Sequence, residues 1–302
     1  IRIPAAQCGL VGLKPTQYRN PGAPDARGRT PGLVLDPVQT RSVRDSAVML
    51  DWTGYPEDDA PYAPPQKSRL YADEIQTPPG KLRIAFSTEN PSNTPLHPDM
   101  QRVFDDTVKL LGDLGHTMID FPKFGIDWRK LYMAQGCVSG AMFAASIDEL
   151  KQTMGRDPEE NEMEPLAWAS YRGSSRLTAS QIGWGLQTLR HISREILAKW
   201  RDFDVLLSPV TITPAPPIGH LDPVNVEPRE FNKRQARVFG YTPPYNITGQ
   251  PSMSVPSGWS SDNLPIGMMF TGRYSDEATL YRLAAQMEQA RPWIDHRPPI
   301  WG

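Results

Sequence analysis

The 302-residue sequence predicts an α/β protein built around one core. Three observations carry this. A strand, helix, strand unit spans residues 82–121, the same helix-into-strand grammar returns at 188–210, and no internal repeat or long polar linker divides the chain. One domain over 1–302 is therefore the simpler organisation.

The elements follow in order. "LRIAF", Leu82 to Phe86, is a short apolar run rich enough in branched and aromatic residues for a buried strand. In "DMQRVFDDTVKLLGDLG", Met100, Val103, Phe104, Leu111 and Leu114 recur at helical spacing, and Gly115 suits the left-handed residue that closes a helix. "HTMIDF" reads as the second strand, expected to lie parallel to the first. Farther on, "TLRHISREILAKW" sets Leu189, Ile192, Ile196 and Leu197 on one face before the strand "DVLLSPV". The strands "SMSVPSG" and "PIGMMFTGR" flank the turn-forming "SSDNL" and suggest a hairpin. A last helix is expected from an N-cap at Ser275 to about Ala290, with Asp276 and Glu277 in its positive first turn. The helical, aromatic-rich stretch from Lys130 to Lys199 reads as an appendage covering one side of the sheet.

Composition narrows the function classes. Apolar residues make up 39% and charged ones 22%, and 32 Lys plus Arg against 34 Asp plus Glu give a net charge of −2. That balance offers no electrostatic attraction for nucleic acid or an anionic membrane. No apolar run approaches the ~20 residues a spanning helix needs. Cys8 and Cys137 cannot build a disulfide framework, which favours a reducing compartment, the cytoplasm by default. The 32 prolines cluster between elements, as in "PEDDAPYAPPQ" and "TPAPPIGHLDP", and read as rigid surface loops.

Common catalytic arrangements are missing from the sequence. It holds no H-E-x-x-H, C-x-x-C, phosphate-binding loop, G-x-G-x-x-G, G-x-S-x-G elbow or S-x-x-K. His97, His116, His191, His220 and His296 are scattered without metal-ligand spacing, so neither a metal nor a cofactor is expected. The adjacent carboxylates Asp105 with Asp106 and Glu159 with Glu160 would diverge on a helix and read as solvated charge. Cys137 sits among Gly136, Ser139, Gly140, Ala141, Ala144 and Ala145, a helix that something approaches closely. Its thiol either packs between helices or lines a substrate pocket. Trp168, Tyr171 and Trp184 pose the same alternative, pocket wall or core.

The first fifteen residues, "IRIPAAQCGLVGLKP", strongly resemble the amidase signature family, in which a Gly-Gly-Ser run leads directly into this block. "DPVQTRSVRDSAVML" resembles a second family segment, with Asp36 where Gly is usual, and "DVLLSPVTITPAPPIG" and "YNITGQPSMSVPSGW" resemble later blocks in the same order. The resemblance covers Ile1 to about Trp293 and is weakest at 56–79 and 151–181. It implies one α/β unit around a large mixed sheet and amide hydrolysis through an acyl-enzyme, using a serine, a second serine on a cis peptide bond, and a lysine. A hydroxyl needs an adjacent base to become a good nucleophile, and the loss of one oxyanion donor typically costs ~3–4 kcal/mol.

In that pattern the nucleophile would precede Ile1, with the lysine, bridging serine and glycine run farther upstream, so no catalytic residue is assigned and the chain reads as an N-terminally truncated amidase domain. Ile1 and Arg2 would flank the nucleophile, and Arg2 is expected to anchor the glycine-rich loop. Gly9, Gly12 and Pro15 match positions that constrain the backbone. Cys137 stands about where the branch acting on aminohexanoate oligomers places a pocket cysteine, and substrate-binding candidates are Cys137, Trp168, Tyr171 and Trp184. The partner implied is a small-molecule amide, without nucleic acid or membrane, and a homodimer is left open. Two other readings stand beside this one: a noncatalytic fragment or binding module, and the amidase subunit of a tRNA-dependent amidotransferase.

Overall fold

The computed structural model describes residues 1–21, 35, 37–55, 62–121, 123, 125–298 and 300. Asp36 and residues 56–61, which include most of the first proline-rich loop, lie outside them. The strands are β1 (Val11–Lys14), β2 (Gln39–Thr40), β3 (Arg83–Phe86), β4 (Thr117–Asp120), β5 (Val205–Pro209), β6 (Ser252–Trp259) and β7 (Pro265–Thr271). The helices are α1 (Arg2–Cys8), α2 (Val43–Thr53), α3 (Tyr71–Glu74), α4 (Pro98–Asp113), α5 (Trp128–Met154), α6 (Pro165–Ser174), α7 (Ala179–Ala198), α8 (Pro228–Val238), α9 (Pro243–Ile247) and α10 (Glu277–Ala290).

The strands form one mixed sheet in the order β2-β1-β6-β7-β5-β3-β4. β3 pairs in parallel with β4, as the strand–helix–strand unit predicts, and also with β5, and the remaining pairings are antiparallel. The expected hairpin is β6–β7, running from Ser252 opposite Thr271 to Trp259 opposite Pro265. Its register shifts between Pro256 and Gly258. Pro256 lies beyond the pairing with β1, which ends at Ser254, and beside this irregularity, where a strand proline is tolerated.

Alternation along the strands divides the core between two faces. On β5, Val205 and Leu207 join one apolar cluster, and Leu206 joins the other. The first face is covered by α2, α3, α4 and α10 through Leu50, Tyr71, Val103, Phe104, Leu280 and Leu283. The second meets α1, α5, α7 and α9 through Ala6, Leu131, Ile192, Ile196 and Tyr245. The helical stretch read as an appendage thus lies over this second face.

Helix ends show where local sequence decides. α4 begins with Pro98 at its first turn and closes before Gly115, whose φ of 95° accommodates the chain reversal. The cap of α10 is Asp276, not Ser275: its carboxylate accepts from the Thr279 N–H at 3.2 Å. Ser275 is diverted to left-handed backbone at φ 66°, where its N–H donates to Thr16 Oγ1 and its hydroxyl accepts from Arg19. The cause is tertiary, because the loop after β1 docks there through a buried Arg19–Glu277 ion pair at 3.2 Å.

A second acidic anchor joins α3 to α10. The Glu74 carboxylate is held by Arg69 and Arg282, whose hydrogen bonds pull its pKa down to about 2. A carboxylate depressed on folding stabilises above its unfolded pKa of about 4.3 and loses that contribution as pH falls toward the folded value. Glu74→Gln should therefore destabilise the protein at neutral pH and flatten the loss of stability between about pH 5 and 2, read from denaturant midpoints across pH.

Candidate functional site

The second face of the sheet turns polar at its centre, and strand periodicity explains why. In "SMSV", Met253 and Val255 point into the first core, leaving Ser252 and Ser254 on the opposite face. Their neighbours across the β1 pairing are Lys14, opposite Ser252, and Gly12, opposite Ser254. All four residues are buried.

Helix α1 lies directly on this patch. A Cβ on Gly12 would stand 2.5 Å from Ala5 Cβ and 2.9 Å from the Ile1 carbonyl oxygen, and one on Gly267 would stand 2.8 Å from Ala6 Cα. Only hydrogen at both positions admits a helix at that separation. Gly9, at φ 67°, then ends α1 and turns the chain into β1.

This seating buries Arg2, which is 5% exposed. Its guanidinium donates to Ser252 Oγ at 2.7 Å, to Met269 Sδ at 3.6 Å and to Asn246 Oδ1. All three acceptors are neutral, and burial pulls the Arg2 pKa down to about 9 despite the opposing influence of Tyr245. Lys14 is equally buried, and its ammonium donates to the Pro15 carbonyl at 2.7 Å. Burial, then the Arg2 charge, hold its pKa well below the usual lysine range, with Glu277 opposing. Two basic side chains are thus fixed beneath the start of α1.

Next to Arg2 along the same face is a narrow cleft lined by Ser87, Glu89, Ile126, Trp128, Leu206, Ser208, Tyr241 and Tyr245. It opens beyond the carboxyl ends of the parallel strands β3 and β5, where open α/β sheets place ligands. Sequence reading singled out none of these residues as site residues. The aromatic segment "GYTPPYNITGQ" supplies Tyr241, Tyr245 and the Asn246 partner of Arg2.

The predicted pocket residues lie elsewhere. Cys137 is half-buried on the α5–α7 seam, where a Cβ on Gly185 would stand 3.1 Å from its own Cβ, and Gly140 meets Ser174 of α6. On α6, Trp168 and Tyr171 form a tilted pair 5.8 Å apart, and Lys151 Nζ stands 5.2 Å from the Tyr171 ring. Trp184 is 39% exposed on α7. Ile1 is half-buried at the head of α1. None of the four substrate-binding candidates lines the cleft. Among the described residues no three His, Cys, Asp or Glu side chains converge as a metal site, and no helix is long and apolar enough to cross a membrane. His116 is tied into the core, accepting from the Leu82 N–H and pairing with Gln286.

Comparison with known proteins gives a family, two relatives and two solved structures. The family model described as Amidase matches residues 1–281. The chain is 30% identical over 309 residues to the 6-aminohexanoate-cyclic-dimer hydrolase of Paenarthrobacter ureafaciens, covering 99% of this chain and 63% of that protein. It is 31% identical to the putative amidase AmiC of Mycobacterium leprae, covering 97% of this chain and 60% of that one. A structure of 6-aminohexanoate cyclic dimer hydrolase complexed with substrate superposes with a TM-score of 0.87 at 29% identity, over 99% of this chain and 64% of its own. A bacterial aryl acylamidase shares the fold at a TM-score of 0.79 and 21% identity. The chain spans about 60% of the length of these curated relatives.

The close seating of α1 is testable. Gly12→Ala should cost about 1–3 kcal/mol in a denaturant titration, because the added methyl meets Ala5 and backbone. Gly136→Ala, on α5 with nothing within 4 Å of the new methyl, should stabilise by about 0.5–1 kcal/mol.

Proposed function

The chain belongs to the amidase family, and from that premise we propose that it is the C-terminal portion of a serine amidase that hydrolyses a carboxamide to an acid and an amine through an acyl-enzyme. The seating of α1 is the observation that carries this reading. Ile1 and Arg2 match the two positions after the family's nucleophile, and they stand at the head of a helix fixed against Ser252 and Asn246. Nucleophile, bridging serine and lysine match no position between Ile1 and Gly302, so the bond-breaking groups are assigned to residues outside this sequence.

In this reading the chain holds and bounds the reaction centre. Arg2 fixes the segment that follows the nucleophile, and its three neutral acceptors leave its charge unneutralised by a carboxylate. The Arg2 charge raises the potential where a tetrahedral oxyanion would form, an effect that low dielectric strengthens. Cys137, Trp168, Tyr171 and Trp184 are proposed to contact substrate from the helical layer. Similarity to 6-aminohexanoate-cyclic-dimer hydrolase makes that cyclic amide the first substrate to test. Both cysteines are free thiols, which supports a cytoplasmic setting.

Fluorophosphonate labelling of the full-length gene product tests the proposal. An adduct on the serine preceding Ile1, with loss of amide turnover, is expected. Turnover without such an adduct, or turnover by the 302-residue chain alone, would overturn it.

A further inference from the structure

We propose that Asn246 is a positioning residue of the reaction centre: its side-chain amide orients the Arg2 guanidinium without neutralising it, where a carboxylate of the same shape would cancel the charge. The proposal rests on the amidase reading for what that charge does, but not for how it is held.

The place of Asn246 is fixed by its neighbours. Helix α9 opens on Pro243 and Pro244, whose rings preset the helical backbone. Tyr245 is buried and meets the edge of Trp200 with ring centroids 6.3 Å apart, and Ile247 packs against the same cluster. Beyond the helix, the Gly249 carbonyl accepts from the Gln17 N–H at 3.0 Å, which ties α9 to the loop after β1. Asn246, half-buried between these anchors, meets Arg2 with its oxygen, because a guanidinium offers donors and no acceptor. Arg2 Nη1 donates to Ser252 Oγ and Met269 Sδ while Nη2 donates to Asn246, so both ends of the planar fork are held.

A buried guanidinium ordinarily takes a carboxylate partner. Here, among the described residues, no carboxylate pairs with Arg2. Glu277 is engaged by Arg19 at 3.2 Å and by the Thr16 N–H at 2.7 Å. The Tyr245 phenol beside Arg2 stays protonated, since burial pushes its pKa above the usual range. The charge is therefore not cancelled where it sits, and it reaches the head of α1: burial, then Arg2, hold the Ile1 ammonium below its usual pKa. In the family pattern that head adjoins the nucleophile. Aspartate at position 246 would keep the size and the acceptor, and its charge in contact with the guanidinium would collapse the outward field to that of a dipole. The amide keeps the field an oxyanion requires, at a cost in stability that an ion pair would have reduced.

Two measurements test this. In the 302-residue chain, with the Ile1 amine marked by isotopic reductive methylation and followed by NMR, Asn246→Asp should raise the amine's titration by about half a pH unit or more, and its denaturant midpoint at neutral pH should be no lower than that of the native chain. In the full-length gene product, Asn246→Asp should lower kcat for a simple amide about tenfold or more with KM within about twofold. Asn246→Ala, which removes the acceptor and leaves the charge, should be the less stable variant and lose less in kcat than Asn246→Asp. A merely structural asparagine would give one order for stability and activity together. Asn246→Asp with kcat within about twofold of native, or kcat that follows stability through both variants, overturns the proposal. If Asn246→Asp does not fold, Arg2→Met decides: removing the charge should raise the Ile1 titration as well, and an unmoved titration overturns the proposal. The titration involves no hydrolysis, so it and the fluorophosphonate result can fail separately.

Discussion

Helix α1 reaches the sheet through two positions that carry no side chain. With a methyl at Gly12 or Gly267, Ala5 and Ala6 could not approach β1 and β7 as they do, and the helix would lift from the sheet. Everything at the candidate site depends on that contact. It carries Arg2 into the interior, brings its guanidinium to Ser252 and Asn246, and sets Ile1 at the margin of the polar patch. The left-handed Gly9 is the same requirement seen from the other end, since β1 must pair beside the helix that precedes it.

Burying Arg2 and Lys14 against neutral acceptors is costly, for a desolvated cation loses more than a few hydrogen bonds return. Such an arrangement is not what packing alone would select. The polar strip of Ser252, Ser254 and the residues facing them lies on a sheet closed by two helical layers, with Ser208 and Thr271 also buried on it. Glu277 lies at the far side of Lys14 and is already engaged by Arg19 and the Thr16 N–H, so it moderates the lysine without neutralising the strip.

The helical layer divides its work. Near the seam of α5 and α7, Cys137 and Gly185 serve close approach, while the start of α5 contributes Trp128 to a cleft shared with β5 and the aromatic segment around α9. The cleft's protein donors are turned inward to carbonyls and to Glu89, which gives a mostly apolar space a definite polarity. Its position at the carboxyl ends of parallel strands is a consequence of the sheet order, in which β3 lies between β4 and β5.

Local sequence was sufficient for the elements whose signals are local. The apolar runs of β3 and β5, the helical spacing of α4, the Ser-Met-Ser-Val alternation of β6 and the opening block that resembles amidases could all be read directly, because period and turn chemistry act over a few residues. The cap of α10 could not, since Ser275 was drawn away by Thr16 and Arg19, more than 250 positions distant in the chain. Nor could the pairing of Arg2 with Asn246 and Ser252, or the meeting of Glu89, Trp128, Tyr241 and Tyr245 around one cleft. A single glutamate after a strand and a tryptophan opening a helix carry no periodic mark, and only the packing of β3, β5, α5 and α9 brings them together.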